Sequence, residues 1–214
     1  MKTSAAVLGA LLGAVALSCQ DTAKDPVSAP ITVAVAASQS GAGGADHVRW
    51  DIISVNIPIT TVSPGGVAFA LAANPNTLRI KLTGAGTFVA PASGGRSSAV
   101  TGGGTWETFS GDVSTGSGTY TVSGLTSWEF ASFQTPGLID RIGDPNERAN
   151  GNAVLRIEYS DGSSGTLGIG CHGPGAPNGI VEGVIATKGF VTYWNAQPPS
   201  PTVDANRTLF HVEK

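Results

Sequence analysis

Residues 101–106 read TGGGTW, and two close variants flank them: TGAGTF at 83–88 and TGSGTY at 115–120. A glycine loop that cradles phosphate needs a helix behind it, because the helix N-terminus supplies free N–H groups and a positive dipole. Here the three copies run on into ETF, VAP and TVSG, all of extended-chain character, and none carries a Lys placed as in a P-loop. The glycines therefore serve turns, bulges or close backbone approach, and each Thr-aromatic pair begins a strand. Offsets of 18 and then 14 residues between copies fit successive strands of a meander and are too irregular for a solenoid.

The rest of the chain from His47 onward agrees. No dozen-residue stretch there keeps apolar positions at helical spacing without Gly or Pro intervening. Short β-branched and aromatic runs alternate with turn residues instead, as in HVRWDIISVNI (47–57), VAFAL (67–71), TLRIKL (77–82), TWETF (105–109), TYTVSGL (119–125), TSWEF (126–130), AVLRIEY (153–159), GTLGIGC (165–171), GFVTYW (189–194) and TLFHV (208–212). About eight to ten short strands predict an all-β domain over 47–214, a small antiparallel β-barrel with a β-sandwich as the alternative.

One hairpin can be read in register. AVLRIEY, SDGSS and GTLGIGC surround an Asp-Gly turn signal. A two-residue Asp161-Gly162 loop would set Ile157 opposite Thr166. A three-residue loop, Asp161-Gly162-Ser163, sets Ile157 opposite Leu167, Leu155 opposite Ile169 and Ala153 opposite Cys171. Only the second register joins apolar side chains, because a one-residue slip moves them to opposite faces. It also places Asn152, Val154, Arg156 and Glu158 on the other face, opposite His172, Gly170, Gly168 and Thr166.

Before this domain the chain carries an export signature. Lys2 precedes an apolar run, AAVLGALLGAVAL (5–17), and Ala16-Leu17-Ser18-Cys19 resembles the lipobox of bacterial lipoproteins, with Ala where that motif usually has Leu, Val or Ile. Residues 1–19 are thus expected to be a signal peptide ending at a lipidated Cys19, with full secretion as the alternative. Residues 20–46 read as a flexible tether, although ITVAVAAS (31–38) could form an early strand. With Cys19 lipidated, Cys171 has no disulfide partner. A net charge of −3 without a basic cluster argues against nucleic acid, and the membrane is expected to be met only through the N-terminal lipid.

Chemistry-bearing residues are sparse. Cys171-His172 looks like a nucleophile and its base, but neighbours on a strand point to opposite faces, which sends Cys171 to the core. His172 shares its face with Gly168 and Gly170, whose missing side chains leave a groove, and Arg156 and Glu158 lie on the neighbouring strand of that face. Glu182 and Lys188 are the only charges in 179–194, and Tyr193 and Trp194 stand before a Pro-rich loop, where aromatics either floor a carbohydrate or hydrophobic-ligand site or plug a core. The candidate ligand-binding residues are therefore His172, Arg156, Glu158, Glu182, Tyr193 and Trp194. No metal-ligand spacing exists among His47, His172 and His211, no cofactor is implied, and no G-x-S-x-G elbow is present. LIDRIGDPNER (138–148), the most charged stretch, reads as a solvated loop or a lid over a barrel mouth.

AVLRIEYSDGSSGTLGIGCHGPGAP, VEGVIATKGFVTYWN and VDANRTLFH resemble segments of a group of exported bacterial and fungal β-proteins with no assigned activity. The Gly-rich strand entries are also similar in style to allene oxide cyclase and dirigent-type barrels. That resemblance implies a lumen holding an apolar ligand, with no catalytic residue carried over. The leading expectation is a noncatalytic protein binding a small apolar or amphipathic molecule, or a surface-interaction module. The alternatives are a barrel isomerase or cyclase and a purely structural envelope protein. A binder calls for an apolar cavity with one or two polar groups. An enzyme calls for His172, Arg156, Glu158 or Glu182 gathered inside it, and a structural protein for a filled interior.

Overall fold

All three Thr-Gly units lead into or lie within strands; only Thr83-Gly84 falls between two of them. The computed structural model describes residues 44–73, 75–135 and 137–213. The leader, Cys19 and the ITVAVAAS segment lie outside the described residues. No helix occurs among those described; the elements are β1 (Asp46–Val55), β2 (Thr61–Pro64), β3 (Ala68–Leu71), β4 (Leu78–Leu82), β5 (Ala85–Ala90), β6 (Val100–Ser110), β7 (Val113–Phe133), β8 (Ile139–Asp140), β9 (Arg148–Tyr159), β10 (Ser164–Cys171), β11 (Gly183–Lys188), β12 (Val191–Tyr193), β13 (Asn195–Ala196) and β14 (Thr208–Val212).

The glycine units occupy the meander β5–β6–β7. Gly86 pairs with Gly102, and Gly104 with Tyr120, so the three copies lie side by side in hydrogen-bonded succession. Gly102 shows why a side chain is excluded. Its φ is +104°, and a Cβ there would run into the Ala85 carbonyl and the Gly86 Cα of the facing strand.

Six strands close a barrel: β9 pairs with β14, β14 with β1, β1 with β5, β5 with β6, β6 with β7 and β7 with β9, all antiparallel. The fold is thus the expected antiparallel barrel and not the sandwich. Trp50, Phe88, Leu125, Ala149 and Phe210, all fully buried, fill the barrel, with Trp128 edge-on to Phe88 and Phe210 at centroid distances of 5.4 and 4.7 Å.

Three long strands extend past this ring. The 21-residue β7 reaches along β9 through three register shifts, between Val122 and Gly124, Leu125 and Ser127, and Phe130 and Ser132. Each inserted residue reverses the in–out alternation, so Tyr120, Leu125 and Trp128 all reach the core from one strand. Beyond the ring, β6 carries β4 and β3 on one edge, while β9 carries β10, β11 and β12 on the other. Two forks result. On β6, the partner changes from β5 at residues 100–103 to β4 at 106–110. On β9, it changes from β14 at 148–149 to β10 at 151–158.

The β9–β10 hairpin has a three-residue loop, but at Ser160-Asp161-Gly162, one residue earlier than expected. The Tyr159 N–H donates to Ser163 O at 2.8 Å, and the Gly162 N–H to Tyr159 O at 3.0 Å. The third loop position needs a left-handed residue, and Gly162 supplies it with φ +86°. The register therefore sets Leu155 opposite Leu167, Ala153 opposite Ile169 and Gly151 opposite Cys171. A shift by two keeps every side chain on its expected face, and Leu155, Ile157, Leu167, Ile169 and Cys171 are all buried.

Candidate functional site

The fork on β9 is where the sheet parts over an apolar cleft. The β10 strand leaves β9 at Cys171, opposite Gly151, and β14 joins at Phe210, opposite Ala149. Asn150, fully buried between them, has no strand partner on that edge. Its Oδ1 accepts the Gly173 N–H at 2.8 Å, and its Nδ2 donates to Ser132 Oγ at 3.0 Å. Glu182 ties the two diverging strands together. One carboxylate oxygen accepts the His172 N–H just past β10, and the other accepts the Thr208 N–H at the start of β14 at 2.7 Å. Thr208 Oγ1 donates to Gly170 O at 2.7 Å and completes the tie.

The cleft at this parting measures about 460 Å³, within the size range of small-molecule sites. Ile53, Val55, Val62, Leu138 and Leu209 supply its apolar walls, with Ile59 and Pro199 toward solvent. Its polar groups are mostly committed. The Arg207 guanidinium donates to the carbonyls of Val203 at 3.0 Å, Ala205 at 3.2 Å and Ser200. Gln134 Nε2 reaches Ala149 O at 3.4 Å and Cys171 Sγ at 3.3 Å. Arg148 is the exception: it is buried beside the Asp140 carboxylate, with Nε 3.9 Å from Oδ2, but its Nη1 has no hydrogen-bond partner among the described residues. Burial pushes the Glu182 carboxyl above its usual range, opposed by the N–H groups of His172 and Thr208.

No nucleophile is prepared here. Burial drives the Cys171 thiol well above its ordinary pKa, and its Sγ donates to Thr208 O at 3.3 Å, so it stays protonated. The His172 residue is exposed while Cys171 is buried. The two do not form a nucleophile–base pair, as strand alternation requires.

The expected site residues are split among four places. His172 and Glu182 meet at the cleft, His172 through its backbone. Arg156 and Glu158 do stand on the outer face of β9, but away from His172. The Arg156 guanidinium lies over Gly124 of β7, and Glu158 accepts from Ser123 Oγ at 3.4 Å. The two-residue register shift moved His172 beyond the paired part of the hairpin and Arg156 opposite Thr166. Tyr193 is 4% exposed and packs in the core, as the plug alternative had it. Trp194 is 64% exposed and borders a different groove. Lys188, the other charge in 179–194, makes its contacts elsewhere. It lies over the rings of Trp106 and Tyr159 and pairs with Asp161.

The charged 138–148 stretch is also more than a solvated loop. Asp140, on β8, buries its carboxylate against His211 Nε2 at 3.1 Å and accepts the Ile142 N–H at 2.8 Å. This clasps the segment to the barrel wall and delivers Leu138 to the cleft. Asn150, Leu209 and Thr208 had no signal as site residues in the sequence, and Leu138 only as the start of the charged 138–148 stretch, because strands distant along the chain create their juxtaposition. No family model, no curated protein and no solved structure matches this chain.

Proposed function

We propose that this chain is an exported, lipid-anchored β-barrel protein that holds a small apolar or amphipathic molecule in the fork cleft and does not transform it. The observation that carries the reading is the cleft itself: five aliphatic walls beside the half-buried Glu182 carboxylate, with the Arg148 and Arg207 guanidiniums also in its lining. That is the expected pattern of mostly apolar lining with few orienting polar groups. Its position departs from the lumen implied by resemblance to allene oxide cyclase and dirigent-type barrels, since aromatic side chains fill the barrel. Two features count against the isomerase or cyclase alternative. Arg156 and Glu158 lie away from the cleft, and the Glu182 carboxylate is held by backbone donors. The filled barrel favours the structural envelope reading as the second possibility. Export and anchoring rest on the 5–17 apolar run and Cys19; palmitate labelling in a bacterial host should vanish in Cys19→Ser, and label that persists would remove the anchor.

The cleft is tested by titrating the protein with 1-anilinonaphthalene-8-sulfonate. Saturable one-to-one fluorescence enhancement is expected, and Leu138→Trp, which fills the cleft from a half-buried position, should abolish it. Enhancement that does not saturate, or that survives this variant, defeats the binding reading and leaves the structural one.

A further inference from the structure

A second groove opens where β12 leaves β11. After Val191–Tyr193 pair with β11, the chain crosses to β3 and pairs there as β13, through Asn195 and Ala196. The parting leaves a depression of about 440 Å³ along the outside of β10 and β11. Gly168 and Gly170 lie buried in its floor, the first beneath the Ile185 side chain and the second against the Val181 carbonyl. Val154 and Ile185 give it apolar patches, and Trp194 stands at its side with 64% of its surface free. None of the thirteen residues that line it is ionisable.

We propose that this groove binds a neutral saccharide. Three groups with unused hydrogen-bonding capacity border it. The carboxamides of Asn152 and Asn195 and the indole N–H of Trp194 bond to no other described residue. An ionic ligand would find no countercharge here, and a purely apolar one would leave these polar groups without partners. A pyranose meets both demands. Its C–H face lies against an exposed indole, and its hydroxyls both donate to and accept from primary amides. The absence of charge also separates this groove from the fork cleft, whose polar groups include a carboxylate and two guanidiniums. The two sites stand or fall independently.

The test is calorimetric titration of the full chain with cellohexaose, xylohexaose, laminarihexaose and mannohexaose, with hexagalacturonate as the charged control. At least one neutral hexasaccharide should bind one-to-one and outcompete hexagalacturonate. Removing the exposed aromatic anchor by Trp194→Ala should weaken that binding ~30-fold or more. Phe190→Ala, at a 99% exposed hairpin tip outside the groove, should leave it unchanged. The proposal is overturned if none of the four binds at millimolar concentration, if hexagalacturonate binds as well, or if Trp194→Ala has no effect. It is equally overturned if sedimentation finds a dimer that Trp194→Ala dissociates, because the face would then belong to a second copy.

Discussion

The two forks of this sheet solve one geometric problem in opposite ways. On β6 the diverging strands, β4 and β5, are consecutive, joined by Thr83-Gly84. The Thr83 N–H donates to Thr105 O at 3.1 Å, the Tyr120 hydroxyl donates to Thr83 O at 2.8 Å, and the Trp50 and Tyr120 rings close against Gly84. On β9 the diverging strands, β10 and β14, are far apart in the chain. The Glu182 carboxylate and the Asn150 amide occupy backbone donors that a continuous strand would have paired. Where the chain runs straight through, the fork is sealed by glycine and aromatics. Where it does not, side-chain polar groups hold the strands apart, and a cleft remains between them.

The comparison breaks most severely at the sealed fork. Gly102→Val should destabilise the protein by about 3–5 kcal/mol, summing the strain of a β-branched residue at positive φ and overpacking against β5. Urea denaturation would measure it, and a loss under 1 kcal/mol would mean that β5 and β6 do not approach as described. At the open fork the loss should be smaller. Glu182→Ala leaves the buried Thr208 N–H without its acceptor, about 1–3 kcal/mol, while the exposed His172 N–H turns to water. The same variant should also weaken probe binding in the cleft, which Gly102→Val would affect only by unfolding the chain.

A finer contrast comes from pH. Burial raises the Glu182 carboxyl above its ordinary 4.5, so the folded state holds that proton more tightly than the unfolded chain. The stability linked to it is fully present below the unfolded value and is lost as pH climbs through the raised one. Wild type should therefore lose stability relative to Glu182→Gln as pH rises above 4.5. Parallel pH profiles for the two proteins would show that this carboxylate is solvated.

Much of the fold was legible because it is written in local chemistry. The Thr-Gly-x-Gly-Thr-aromatic units announced neighbouring strands, and alternation alone put Leu155, Leu167 and Cys171 on the buried face. Register was less accessible. The loop was displaced by one residue because the left-handed position falls on Gly162, a demand of turn geometry that apolar matching does not reveal. TYTVSGL and TSWEF read as separate strands because the shift between Leu125 and Ser127 reverses the alternation within one strand. The site was legible only in fragments. Glu182 and His172 drew attention as isolated polar residues and meet across the β10–β11 connection, but the cleft beside them depends on β10 and β14 sharing one edge of β9, and no short-range pattern encodes that. Trp194 was noted for its ring, but its groove exists only because β13 crosses to β3.

The claim that the open fork is a ligand cleft is tested most directly by following backbone amide resonances during titration with dodecanoate, an amphipathic chain that matches its aliphatic walls. Saturable shifts concentrated at His172, Gly173, Thr208 and Leu209, with the barrel strands β5 and β6 unmoved, are the predicted result. Absence of shifts at those four amides, or shifts confined to the groove beside Trp194, would contradict it.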